Sequence, residues 1–220
     1  MTLVIAIDGP SGSGKSTVAR AVAAELGLQV LDTGAMYRAV TLGVLEADVP
    51  LDDADACATI ARESVVTLEG AMTMLDGRDV SREIRGPLVT GAVSIVSQHP
   101  DVREILVAYQ RDWVARHGGG VVEGRDIGTV VFPDATVKVF LVASDDERAR
   151  RRHRDEMAAA RAVAVEDVKA ALDRRDAIDS TRAVSPLRVA DDAVEIDTTD
   201  LDADTVVADV VARARAAEGR

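Results

Sequence analysis

The chain has 220 residues, enough for one domain with an insertion, and 47% of them are hydrophobic, which suffices for a sizeable core. Aromatic residues make up only 2%, so that core has to be built from Val, Leu, Ile and Ala. A formal charge of −12 argues against a protein that coats nucleic acid, and no apolar run approaches the ~20 residues of a membrane span.

The N-terminus lacks a basic lead-in before its apolar stretch, so a cytoplasmic protein is expected. Cys57 is the single cysteine, which excludes an internal disulfide and a cysteine-based metal site and fits a small buried side chain. Of the 26 basic residues only Lys15, Lys138 and Lys169 are lysine; the other 23 are arginine, whose guanidinium forks suit phosphate.

Leu3-Val4-Ile5-Ala6-Ile7 reads as a buried strand. It runs into Gly9-Pro10-Ser11-Gly12-Ser13-Gly14-Lys15-Ser16-Thr17, which fits G-x-x-x-x-G-K-[ST], and helix-like sequence follows from Thr17 to Leu26. Strand, loop and helix in that order are the context in which such a loop cradles phosphates. Glycines let successive N–H groups turn toward an anion, Lys15 reaches the terminal phosphates, and the Ser16 hydroxyl is placed to hold Mg²⁺. The helix adds its positive end to the same site. A bound nucleoside triphosphate is the expectation.

Gln29–Leu31 forms a second short strand. Asp32-Thr33-Gly34 opens a helix with Tyr37 and Arg38 on its first turn, at the end of a strand where open α/β sheets bind ligands. Residues 52–64 suggest a helix with Cys57, Ile60 and Ala61 on one face. Val65–Glu69, Met72–Leu75 and Arg78–Val80, broken by Gly70 and Asp76-Gly77, read as antiparallel strands, an insertion over about 63–85. Two helices follow from Pro87, broken near His99-Pro100. The apolar stripe of the first is Val89, Ala92, Val93 and Val96; that of the second is Ile105, Leu106, Tyr109 and Trp113, which places Tyr109 and Trp113 in the core.

After Gly118-Gly119-Gly120, Val121-Val122-Glu123 starts another buried strand whose end carries Glu123-Gly124-Arg125-Asp126. Glu123 can order Mg²⁺ or its waters, and Arg125 and Asp126 have the option of a local ion pair. Residues 137–142 form a buried strand, and Ser144-Asp145-Asp146-Glu147 begins a helix. On that helix Arg148, Arg151 and Arg152 share a face, flanked by Arg150 and Arg154. Close like charges repel unless an anion meets them, so either the neighbouring carboxylates Asp145, Asp146, Glu147, Asp155 and Glu156 neutralise them or they form a lid over phosphates. A helix over 165–176, a strand over 194–197 and a terminal helix over 202–217 complete the chain, the last with Val206, Val207, Val210, Val211 and Ala214 inward.

Strands alternating with helices make a parallel α/β sheet of the P-loop NTPase type. The chain contains no asparagine, so the Asn-Lys-x-Asp guanine reader of switch GTPases is excluded. What remains is a small-molecule kinase whose acceptor carries phosphate. A kinase for UMP, AMP or a shikimate-like acid, and a regulator that binds ATP without transferring phosphate, stay open on these grounds.

Four blocks resemble the ordered signatures of the bacterial cytidylate kinase family: Asp8–Thr17, Leu31–Arg38, Glu123–Ala135 and Arg182–Leu187. The resemblance implies a five-stranded parallel core flanked by helices (1–38 and 117–220), an inserted nucleoside-monophosphate-binding region (39–116) that includes the antiparallel sheet, and a short lid at about 145–165. It implies ATP and Mg²⁺, with CMP or dCMP as acceptor, in pyrimidine metabolism; a monomer is expected because no obvious interaction helix stands in the sequence. By position, Ser94, Arg103 and Asp126 would read the cytosine edge, Arg38, Arg125 and Arg182 would hold the acceptor phosphate, and Arg175 and Asp179 would lie near the sugar. Thr33 and Tyr37 belong to the same acceptor site. Lys15, Arg125, Asp126 and the lid residues Arg148, Arg151 and Arg152 would serve the transfer. Thr33 stands where the family often has serine, and Glu123 where aspartate also occurs.

Overall fold

The computed structural model describes residues 2–70, 72–161 and 163–219. Five strands form one parallel sheet: β1 (Leu3–Asp8), β2 (Val30–Asp32), β6 (Gly119–Glu123), β7 (Val137–Val142) and β8 (Val194–Asp197), in the order β2-β6-β1-β7-β8. Side chains of β1 alternate between two apolar layers. Leu3, Ile5 and Ile7 pack with Val18 and Val22 of α1 (Lys15–Leu26) and with Val206 and Val210 of α8 (Ala203–Ala217). Val4 and Ala6 face the other way, toward α2 (Thr33–Glu46), α3 (Ala54–Glu63), α4 (Pro87–Val96) and α5 (Pro100–His117). Both faces of the sheet are thus covered, as burial of a parallel sheet requires.

A second, antiparallel sheet joins β3 (Val66–Glu69), β4 (Met72–Leu75) and β5 (Arg78–Asp79). Its β4–β5 turn is Asp76-Gly77, both at positive φ (50° and 79°), which is the reason that dipeptide signals a hairpin. β5 ends a residue earlier than expected, because Val80 leaves the strand to enter a small core with Leu75, Ile84 and Ala39. That core sits on α2. The segment 39–116 is therefore tied to the main sheet through the α2–α5 layer.

α6 (Asp145–Ala158) and α7 (Val165–Thr181) pack on each other through Ala149, Val168 and Leu172, a cluster separate from the two main layers. α7 runs past the expected end at 176, so Asp179 is helical.

The stripe of α5 differs from expectation. Its buried positions are Val102, Arg103, Leu106, Gln110 and Val114, whereas Tyr109 is 37% exposed and Ile105 is only partly covered. Counting apolar residues alone shifted the stripe, since its true line contains a buried arginine and a buried glutamine. Trp113 does face inward: a Cβ on Gly120 would lie 2.9 Å from its ring.

Candidate active site

The carboxyl ends of β1, β2, β6 and β8 open into one cleft of about 760 Å³, where ligands of open α/β sheets bind. At one end lies the phosphate loop. Gly9 at φ 143° passes so close to β7 that a Cβ would sit 2.1 Å from the Leu141 carbonyl; at Gly12, φ 80°, a Cβ would sit 2.9 Å from the Arg148 carbonyl. Larger residues do not fit at either position.

Cations hold the outward-facing carbonyls of this loop. Arg125 Nη1 donates to the Gly9 carbonyl at 2.9 Å, Lys15 Nζ to the Pro10 carbonyl at 2.6 Å and Arg148 Nη1 to the Ser11 carbonyl at 3.1 Å. Thr198, just beyond β8, donates from Oγ1 to the Ser13 carbonyl at 3.2 Å. Helix α1 has no side-chain cap, and Gly14 at its start is left-handed, so the first N–H groups of α1 stay available for an anion. Burial, with Arg125 second, lowers the Lys15 pKa, a strain that a bound polyphosphate relieves.

Ser16 Oγ donates to Glu123 Oε2 at 2.7 Å, and Asp32 faces the same carboxylate, as β2 and β6 pair Asp32 with Glu123. Burial first, then the Asp32 charge, raises the Glu123 pKa. An all-oxygen set of a hydroxyl and two carboxylates beside a phosphate loop fits Mg²⁺.

Arginines occupy the other end of the cleft. Arg38 is held by α4 and the turn before it, donating from Nη1 to the Ile84 carbonyl at 3.1 Å and to Thr90 Oγ1 at 2.9 Å. Burial, Arg175 and Arg152 push its pKa well below the ordinary guanidinium range, and burial with Arg125 lowers Arg175 to about 10. These groups remain charged; burial is the first cause of each shift and neighbouring guanidinium charges add to it, so a bound anion would favour both cations. Arg182 donates from Nε to the Ser185 carbonyl at 2.6 Å, and Ser185 adopts a left-handed backbone (φ 53°) to present it.

Arg125 and Asp126 do not pair with each other. Arg125 Nε donates to Asp179 Oδ2 at 2.9 Å, whereas Asp126 meets Arg103 through a buried hydrogen bond and Arg182 at 3.7 Å. Successive side chains leaving the end of β6 diverge, so each reaches a different helix. The Arg103 guanidinium also lies 5.3 Å from the centre of the Tyr37 ring, within cation–π range.

Most of the expected site residues line this cleft: Ser11 to Thr17, Thr33, Tyr37, Arg38, Arg103, Arg125, Asp126, Arg151, Arg152, Arg175, Asp179 and Arg182. Gly9 and Pro10 of the loop do not line it; their carbonyls accept from Arg125 and Lys15. Thr33 spends its hydroxyl on the Glu123 carbonyl at 2.7 Å. Ser94 is buried without a hydrogen-bond partner for Oγ among the described residues, and its neighbours Val93 and Ser97 line the cleft instead. Arg148 also does not line it. Its guanidinium is paired with Asp145 at 2.6 Å and with Asp176, which in turn accepts from the Ser11 N–H at 3.4 Å.

The arginines of α6 are paired with carboxylates, and three of them also border the cleft. Glu147 accepts ion pairs from Arg150 and Arg151 at 3.0 Å and from Arg154 at 3.6 Å, and Glu156 pairs with Arg152 at 2.5 Å, yet Arg151, Arg152 and Arg154 still border the cleft. Asp8, Ser97, Asp176 and Thr198 escaped the sequence reading. Asp8 and Thr198 sit at the ends of parallel strands, a position that could have found them.

The cytidylate kinase family model matches residues 5–216. A cytidylate kinase of Caldanaerobacter subterraneus subsp. tengcongensis is 50% identical over 94% of this chain and 92% of its own. That of Rhodococcus opacus is 52% identical over 94% and 92%, and that of Mycobacterium avium 53% over 90% and 89%. Among solved structures, a gluconokinase from Sinorhizobium meliloti superposes with a TM-score of 0.53 at 17% identity over 99% of this chain and 95% of its own, a likeness of fold alone. A phosphate loop facing a ring of arginines, together with half of the sequence in common, leads to one conclusion: the chain belongs to the cytidylate kinase family.

Proposed function

We propose that the protein transfers the γ-phosphoryl group of ATP to the phosphate of CMP or dCMP, giving ADP and CDP or dCDP, as a cytoplasmic monomer. The observation that carries this reading is the single cleft with anion sites at both ends, the phosphate loop opposite Arg38, Arg125, Arg175 and Arg182, with the Arg103–Asp126 pair beyond them.

A phosphate monoester has its second pKa near ~6, so at neutral pH the acceptor is already a nucleophilic dianion and needs no general base. An acceptor phosphate oxygen forms a bond to the γ-phosphorus while the bond from that phosphorus to the β–γ bridging oxygen breaks. Catalysis reduces to aligning two anions and cancelling their charge. Lys15 leaves the Pro10 carbonyl for the transferring group. Arg38, Arg125 and Arg182 hold the acceptor phosphate, Arg175 and Asp179 the sugar, and Arg103, Asp126 and the Ser94 turn of α4 the cytosine edge. Arg151 and Arg152 close over the phosphates as α6 and α7 move on their own small core, excluding water. Arg148 supports the loop from behind. Ser16, and Glu123 directly or through waters, would hold Mg²⁺, which would supply charge neutralisation to the polyphosphate.

ADP formation, followed by coupled NADH oxidation with CMP, dCMP, UMP, AMP and shikimate in turn, tests the reading. Turnover is expected with CMP or dCMP far above the rest; equal turnover of AMP and CMP refutes the base pocket, and ATP binding without ADP formation from any acceptor refutes the enzyme.

A further inference from the structure

Asp126 stands at the start of a five-residue π-turn, Ile127–Val131, whose Val130 and Val131 N–H groups donate to the Asp126 carbonyl. An aspartate in that place ordinarily turns its carboxylate back to cap the free N–H groups of its own turn. Asp126 makes no such cap, and its carboxylate projects instead toward Arg103 and Arg182. The free N–H groups of Ile127 and Gly128 go to a residue 119 and 120 positions earlier. Asp8 Oδ1 accepts from the Ile127 N–H at 2.8 Å and Asp8 Oδ2 from the Gly128 N–H at 2.7 Å.

Asp8 is the last residue of β1 and directly precedes the phosphate loop; it is 4% exposed. Contact with the turn is close, since a Cβ on Gly128 would lie 3.2 Å from the Lys138 side chain and 3.5 Å from Asp8 Oδ2. A buried carboxylate is costly, and burial raises the Asp8 pKa to about 6, Asp126 adding to the rise while the two N–H bonds and Lys15 oppose it. Asparagine would avoid that cost but replaces one carboxylate oxygen with an NH2 donor, so one of the two backbone N–H groups would face a donor in place of its acceptor.

We propose that Asp8 is a positioning residue for the acceptor base: by capping the 127–131 turn in place of Asp126, it frees the Asp126 carboxylate to face the nucleotide and ties the base pocket to the strand that carries the phosphate loop. The proposal deepens the cytidylate kinase reading and rests on it for the identity of the base.

The test compares wild type, Asp8→Asn and Val139→Ala, the last a cavity in neighbouring β7 that lowers stability without touching the turn. Loss of one buried hydrogen bond to a charged group corresponds to about a tenfold to hundredfold effect. Asp8→Asn is expected to raise the KM for CMP by that factor and to lower the preference for CMP over UMP, while the KM for ATP stays within about threefold, the range of ordinary context effects. Val139→Ala should leave the ratio of the two KM values as in wild type. In parallel, the side-chain carboxyl ¹³C resonance of Asp126, read by NMR without turnover, should move in Asp8→Asn. An unmoved Asp126 resonance, or CMP and ATP constants that change alike in Asp8→Asn, overturns the role of Asp8. A wild type that makes no CDP overturns the cytidylate kinase reading only, and the Asp126 resonance still decides on Asp8.

Discussion

Arg125 Nε lies 2.9 Å from Asp179 Oδ2 while Nη1 of the same guanidinium donates to the Gly9 carbonyl, so one side chain from the end of β6 links α7 to the phosphate loop. Asp179 is buried and Arg125 partly so; burial by itself would raise the Asp179 pKa, but the Arg125 charge, with Arg175 next, outweighs it and holds that carboxyl below its usual range. The side chain is fixed before any ligand arrives, which is the condition for electrostatic stabilisation at little reorganisation cost.

Arg125→Ala is therefore expected to lower kcat/KM by about 10²- to 10³-fold, the cost of a lost preorganised donor. Arg125→Lys should recover little of it, because an ammonium cannot donate in two fixed directions. Steady-state kinetics with ATP and CMP check this; near wild-type turnover in the lysine variant would show that the fork geometry is irrelevant.

Lys15 and Arg38 separate donor from acceptor. Lys15→Ala should reduce kcat by at least about 10²-fold, because the transferring group loses its point charge. Arg38→Ala should act chiefly on the acceptor, raising the KM for CMP about tenfold or more while ATP binding, measured by calorimetry, stays close to wild type. Impaired ATP binding in Arg38→Ala would contradict the assignment of the two ends of the cleft.

Arg148 touches the loop backbone and does not line the cleft, so on the proposed mechanism it supports the loop. Its guanidinium joins the Ser11 carbonyl, Asp145 and Asp176, so Arg148→Ala leaves a partly buried Asp176 carboxylate without its main partner. Removing one partner of a partly buried, hydrogen-bonded charge pair costs about 1–3 kcal/mol, below the figure for a fully buried pair because Asp176 keeps some solvent contact and Asp145 is exposed. Urea denaturation should register that loss together with weaker ATP binding. Unchanged stability with slower transfer would place Arg148 on the phosphoryl group instead.

Asp8 gives stability a defined pH dependence. Its pKa rises from 3.8 to about 6 on folding, mainly through burial, so the folded state holds the proton more tightly than the unfolded chain. The stability contributed by the protonated form is full below 3.8 and is lost as pH rises through about 6. A shift of that size corresponds to roughly 3 kcal/mol. Between pH 4 and pH 7, wild type should lose about that much more unfolding free energy than Asp8→Asn, whose amide does not titrate. Parallel pH profiles for the two proteins in urea denaturation would disprove the shift.

Several features were legible from local pattern because their physics is local. The phosphate loop needs glycine where φ is positive and a lysine and hydroxyl at set spacing, all within nine residues. Asp76-Gly77 declares its hairpin turn, and Asp32 accepts from the Ala35 N–H at 2.9 Å as a helix cap does. The parallel strands are short apolar runs between helices. By contrast, the stripe of α5 was misplaced at Tyr109, because Arg103 and Gln110 are buried by what lies opposite them rather than by their own polarity.

The sequence alone determined the element order, the nucleotide loop and, through its four signature blocks, the family. Only the tertiary structure decided which charge meets which. Arg125 turns from its neighbour Asp126 to Asp179, Arg148 turns to Asp176, and Asp8 reaches across to Ile127 and Gly128. Such pairings depend on the direction in which each side chain leaves its strand or helix and on which buried group stands there, and neither quantity is written in spacing along the chain.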